Sequence, residues 1–133
     1  MLVKRAEQAM VRAKSTALKS IGLTPSQYVA LFELDQQPGV TAAALARACL
    51  VTPQAMMILL KTMEQQGLIA RSPHPRHPSV LELHMTDVGR EAFHAARERV
   101  DPIEARVFGV FPAKDQAAFR EFLLRFIVAF EGE

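Results

Sequence analysis

The chain has no tryptophan, one tyrosine and one cysteine in 133 residues, and each shortage excludes something. A lone Cys49 cannot form an internal disulfide, so a disulfide-stapled secreted scaffold is excluded and a reducing cytoplasm is expected. No apolar run approaches the ~20 residues that a membrane span needs. The opening stretch MLVKRAEQAMVRAKS disperses its charges and lacks the apolar block of a signal peptide. Excess charge of one sign is scarce too: 16 basic against 14 acidic residues leave a formal net charge of +2. That balance permits a nucleic-acid partner without demanding one, because binding depends on where the positive charges sit. There is no Gly-rich phosphate loop, no HExxH, no GxSxG and no cluster of catalytic carboxylates. An enzyme is therefore not expected, and neither is a cofactor.

Half the residues are hydrophobic and 23% are charged, which makes the chain globular. Its length fits a single domain, residues 1–133. Residues 2–20 carry Leu2, Ala6, Ala9, Met10, Ala13, Ala17 and Leu18 at a helical period, with Lys4, Arg5, Glu7, Arg12 and Lys14 opposite. In LTPSQYVALFEL, Thr24 caps, Pro25 takes the first turn and Gln27 completes a capping-box pattern. Thr41 caps a short third helix that ends before Thr52-Pro53. The stretch from Thr52 to Gly67 is a fourth helix, with Met56, Leu59, Leu60 and Met63 as its apolar stripe.

LIARS is a strand candidate, and VLELHMT alternates Leu81, Leu83 and Met85 against Glu82 and His84. SPHPRHPS, between them, holds three prolines in eight residues and is expected to be irregular throughout. The three segments form an antiparallel hairpin with a long tip. Thr86 caps a fifth helix from about Asp87, which Pro102 is expected to kink or break. The last helix, from about Ala113 to Phe130, aligns Phe119, Phe122, Leu123, Phe126, Ile127 and Phe130 along one face.

Three short-linked helices followed by a hairpin are the order of a winged helix-turn-helix, a mainly α fold with a two-stranded wing. In that arrangement the fourth helix is the recognition helix. Its Gln54, Met57, Ile58 and Lys61 fall outside the apolar stripe and would face the major groove. Met57 and Ile58 can meet thymine methyls, Gln54 can read adenine, and Lys61 can reach a phosphate or a guanine edge. Arg76, at the wing tip, fits a narrow A·T minor groove. Thr41 and Thr52 cap helices whose N-termini can also meet phosphate.

The segments LTPSQYVALFEL, TAAALARACLVTPQAMMILLKTMEQQGLIAR and LELHMTDVGREAF, in this order, resemble the MarR family of winged-helix transcriptional regulators. Leu-Ala before the turn, Glu-x-x-Gly-Leu-Ile-x-Arg into the strand and Met-Thr-x-x-Gly after the wing carry the likeness. The resemblance implies a homodimer clamped by the terminal helices, residues 1–22 and 87–133, around a DNA-binding part at 24–86. It implies a repressor on a pseudo-palindromic operator of double-stranded DNA, released by a small aromatic or phenolic ligand. Pro53, Arg71, His74, His77 and Ser79 join the DNA-facing set on the same ground, and Met10 and Tyr28 are candidates for the ligand. The chain departs from the family where an Asp-Arg-Arg-like run usually precedes the second strand: His77-Pro78-Ser79 stands there.

Several positions admit a second reading. Met57 and Ile58 are core residues if the helix is rotated, which would turn Leu60 and Thr62 to the groove. Arg71 serves either a phosphate or a structural ion pair. Cys49, in the apolar run ACLV, is a buried small hydrophobe or a redox-sensing thiol with Arg47 as its nearby cation. The phenylalanine stripe is a dimer core or a pocket lining. His74 and His77 lack the convergent third and fourth ligands of a zinc site, so no metal is expected. The alternative function is a winged helix that docks a protein through Met57 and Ile58 and does not bind DNA.

Overall fold

The computed structural model describes residues 1–131. Its elements are α1 (Leu2–Leu18), a 3₁₀ turn (Lys19–Ile21), α2 (Pro25–Gln36), α3 (Ala42–Ala48), α4 (Pro53–Gln65), β1 (Ile69–Pro73), β2 (Leu81–Met85), α5 (Asp87–Gly109) and α6 (Ala113–Val128). They divide into two units, residues 1–100 and the residues from Asp101 onward.

The N-terminal ends of four helices are built as the side chains dictate. Thr24 accepts the Gln27 N–H while the Gln27 side chain accepts the Thr24 N–H, a complete capping box. Thr41, Thr52 and Thr86 accept the N–H groups of Ala44, Ala55 and Gly89 in the same way. Gly67, at a φ of +74°, closes α4 in the left-handed region where a side chain would be strained.

In the first unit, Leu18, Ala30, Leu31, Leu45, Met56, Leu60, Met63, Leu83 and Phe93 are fully or almost fully buried. Tyr28 stacks on Phe93 with ring centroids 5.8 Å apart. Gln27 is the buried polar member of this core, and its amide donates to the Gln66 side chain at 2.8 Å, joining the start of α2 to the end of α4.

β1 and β2 pair antiparallel, from Ile69 opposite Met85 to Pro73 opposite Leu81. β1 therefore runs one residue past the expected LIARS strand, to Pro73 in the proline-rich segment expected to be irregular. Proline is tolerated at the last pair of a ladder, where its missing N–H costs no interior hydrogen bond. The α2–α3 connection joins this sheet: the Gly39 N–H donates to the Leu83 carbonyl and the Leu83 N–H to Val40. Thr86 anchors the far end, its N–H bonded to the Leu68 carbonyl and its hydroxyl to that of Gly67.

Pro102 lies inside α5, which continues to Gly109, so of the expected kink or break the break does not occur. One lost N–H leaves the remaining ladder to carry the helix. In the second unit, Phe119 packs against Phe108 and Phe111, with centroids 6.0 and 4.6 Å away. Phe122, Leu123, Phe126 and Ile127 of α6, and Phe130 just beyond it, are between 42% and 60% exposed, an apolar face open along the helix.

Candidate nucleic-acid interface

α3 and α4 meet at 108°, within the 90–120° of a helix-turn-helix. Between them Leu50 takes a φ of +58°, the left-handed conformation the tight turn demands, and its side chain is 91% exposed. Thr52 and Pro53 then start α4 at an exposed N-terminus.

The rotation of α4 is decided by burial. Met56, Leu60 and Met63 are at most 1% exposed, whereas Met57 and Ile58 are 51% and 72% exposed. The rotated alternative, with Leu60 turned outward, is therefore overturned. Leu59 departs from the expected stripe: it is half-buried, packing on the core from its margin. Gln54 and Lys61 are exposed as expected.

Met57, Ile58, Lys61 and Arg71 come together, with Glu64 and Gln65, around one open depression of about 610 Å³. Arg71 is ion-paired to Glu64 at its edge, so of its two readings the structural one has a visible partner. Glu64 and Arg71 are the two ends of Glu-x-x-Gly-Leu-Ile-x-Arg, although Glu64 was not among the expected site residues; Gln65 carries no such signal beyond its place one turn after Lys61.

The wing tip presents Arg76, His77 and Ser79 on exposed positions, with His74 half-buried beneath them. His74 and His77 rings stack at 5.3 Å. His74 and His84 each set Nε2 toward one oxygen of Glu82, at 3.6 and 3.5 Å. Among the described residues no group of three or more His, Cys, Asp or Glu side chains is placed to hold a metal ion. Thr41 is half-buried at the start of α3, a short distance along the chain from the sheet contact at Gly39 and Val40.

A smaller cavity of about 220 Å³ lies between α1, α2, the α3–α4 turn and the middle of α4. Val11, Pro25, Val29, Val51 and Leu59 make its apolar wall, with Lys14, Ser26 and Cys49 as polar members. Met10 and Tyr28 are not in this lining: Tyr28 is 5% exposed inside the core, and Met10 is half-buried on α1. The lining is drawn from residues that sequence spacing could not bring together. Burial, then the Glu33 carboxylate, push the Cys49 thiol up to about 11, away from the low pKa of a redox-sensing thiol.

No single described helix is long and apolar enough to cross a membrane. The model of the MarR family matches residues 21–77, from the turn before α2 to the wing tip. The HTH-type transcriptional repressor Rv2887 of Mycobacterium tuberculosis is 37% identical over 109 residues, covering 82% of this chain and 78% of that protein. Its crystal structure with p-aminosalicylic acid superposes with a TM-score of 0.73 at 34% identity, covering 94% of this chain and 95% of that one. The transcriptional repressor CouR bound to a 23-mer DNA duplex has the same fold, with a TM-score of 0.86 at 24% identity over 95% of this chain and 89% of that one.

Proposed function

The chain belongs to the MarR family of DNA-binding, winged-helix transcriptional repressors, and from that premise we propose how this member works. It binds a pseudo-palindromic operator as a homodimer, with α4 in the major groove and the wing in the adjacent minor groove. The observation that carries this reading is the division of α4 into a buried face, Met56, Leu60 and Met63, and an open face, Met57, Ile58 and Lys61. Gln54, Thr52 and Pro53 extend the open face to the helix start, and Arg76, His77 and Ser79 supply the wing contacts. Thr41 and Arg71 flank the set.

Dimerisation explains the apolar residues left in water. A second copy covers the α6 face from Phe122 to Phe130 and the exposed Leu2 and Val3 of α1. Two-fold symmetry then sets half-sites roughly 10 base pairs apart, or a multiple of that spacing. A chain truncated after Phe111 is monomeric by light scattering while the full chain is a dimer; a stable dimer of the fragment refutes this interface.

The 220 Å³ cavity is the effector site of this reading. Its size and apolar wall fit one aromatic ring, and Lys14 offers a cation to a ring carboxylate. The relative's complex with p-aminosalicylic acid supports that ligand class. Val51, just before α4, and Leu59, in its middle, both line the cavity, so an occupant acts directly on the recognition helix. The test is a mobility shift on a duplex enriched from a random pool, with and without salicylate. Retention of the shift at saturating salicylate, together with no change in melting temperature, removes this effector class.

A further inference from the structure

We propose that His74 is the positioning residue of the wing: its ring locks the tip backbone and so fixes where Arg76 is presented. This rests on the DNA-binding reading of the wing and deepens it. The tip alternates proline with other residues, Pro73-His74-Pro75-Arg76-His77-Pro78, and each proline removes a backbone donor. Three N–H groups remain in that stretch, and all three are satisfied locally. The His74 N–H donates to the Val80 carbonyl at 2.8 Å. The N–H groups of Arg76 and His77 both donate to Nδ1 of His74, at 3.0 and 3.2 Å.

One imidazole nitrogen therefore takes the place of the carbonyls that a turn would ordinarily supply. An accepting Nδ1 carries no proton, so the ring proton is on Nε2, the nitrogen that faces Glu82 Oε1 at 3.6 Å. Glu82 is fixed in turn on β2, with His84 on its other oxygen. The His77 ring stacks over His74, and the Val80 N–H closes the tip onto the His77 carbonyl at 2.8 Å. The Arg76 guanidinium makes no ion pair among the described residues and is exposed at this closed tip. A tip without the lock leaves Arg76 to be ordered at the moment of binding, and that cost appears as lost affinity.

Two substitutions separate the two ends of the ring. In His74→Asn the amide oxygen stands where Nδ1 stood and keeps the turn acceptor. In His74→Gln the amide reaches toward the Nε2 position and Glu82 but gives up the acceptor. The probe is a duplex that the wild-type protein enriches from a random pool, read by mobility shift. His74→Ala and His74→Gln bind about tenfold more weakly, and His74→Asn binds within about twofold of wild type. Adding His74→Ala to Arg76→Ala costs nothing further, because the positioned group is already gone.

Full affinity of the Ala and Gln variants, an Asn variant as weak as Ala, or additive losses in the double variant would each overturn the role of His74. A wild-type protein that enriches no duplex overturns the proposed function itself, and this assignment with it.

Discussion

Gly89 sits so close to Leu68 that a β-carbon built on it would lie 2.0 Å from the Leu68 carbonyl oxygen. That contact is where the first turn of α5 meets the start of the wing. The same junction holds the Thr86 N–H on the Leu68 carbonyl and the Thr86 hydroxyl oxygen under the Gly89 N–H, 3.0 Å away. The two motifs Gly-Leu-Ile and Met-Thr-x-x-Gly are thus the two halves of one joint.

Gly89→Ala is expected to destabilise the fold by about 3 kcal/mol, because the obstacle is backbone and cannot turn aside as a side chain would. Equilibrium urea denaturation measures it. A midpoint unchanged from wild type shows that the joint has room.

Leu50 is expected to be the reverse case. A left-handed leucine, 91% exposed, is strained without burying anything in return. Leu50→Gly relieves the strain and raises stability by about 1 kcal/mol, read as a higher denaturation midpoint at constant slope. A lower midpoint means that the leucine is held by a contact the isolated chain does not contain.

Cys49 is expected to be a poor nucleophile. With its thiol pushed from the usual 9.0 to about 11, alkylation by iodoacetamide stays slow at neutral pH and accelerates only as the pH approaches 11. Since the folded value is the higher one, the associated stability is present below pH 9 and is lost as the pH rises through 11. Peroxide leaves DNA binding intact on this account. Rapid labelling at pH 7 would contradict it.

Met57 and Ile58 are expected to read methyl groups. Replacing thymine by uracil at the base pairs they cover removes one methyl each and nothing else. Each replacement lowers affinity by about 0.8 kcal/mol, roughly fourfold. Lys61→Ala instead reduces the salt dependence of binding by about one phosphate equivalent. Uracil duplexes bound as tightly as thymine duplexes would turn the face toward some other partner, with weak salt dependence as its mark.

Local chemistry made most of the architecture legible in the chain. The threonine caps, the proline at the first turn, the glycine at the end of α4 and the alternation of β2 depend on neighbours a few residues away. So does the apolar stripe of α4, because 3.6-residue periodicity is a property of the helix itself, although the stripe left the rotation open and burial decided it. At Pro102 the choice between a kink and a break lay beyond local chemistry, and the helix is not broken because its other hydrogen bonds remain.

What depended on approach across the chain could not be read from spacing. Gln27 looked like a cap and is also a buried bridge to Gln66, 39 residues away. Tyr28 could have served a ligand or ordinary packing, and it is stacked inside the core on Phe93. The cavity draws on α1, α2, the α3–α4 turn and α4 at once. By itself the sequence determined where most elements form and that α4 carries an apolar stripe, because those follow from hydrogen bonds and periodicity within a few residues. Only the tertiary structure decided which side chains converge, because side chains far apart in the chain meet only after the elements have packed.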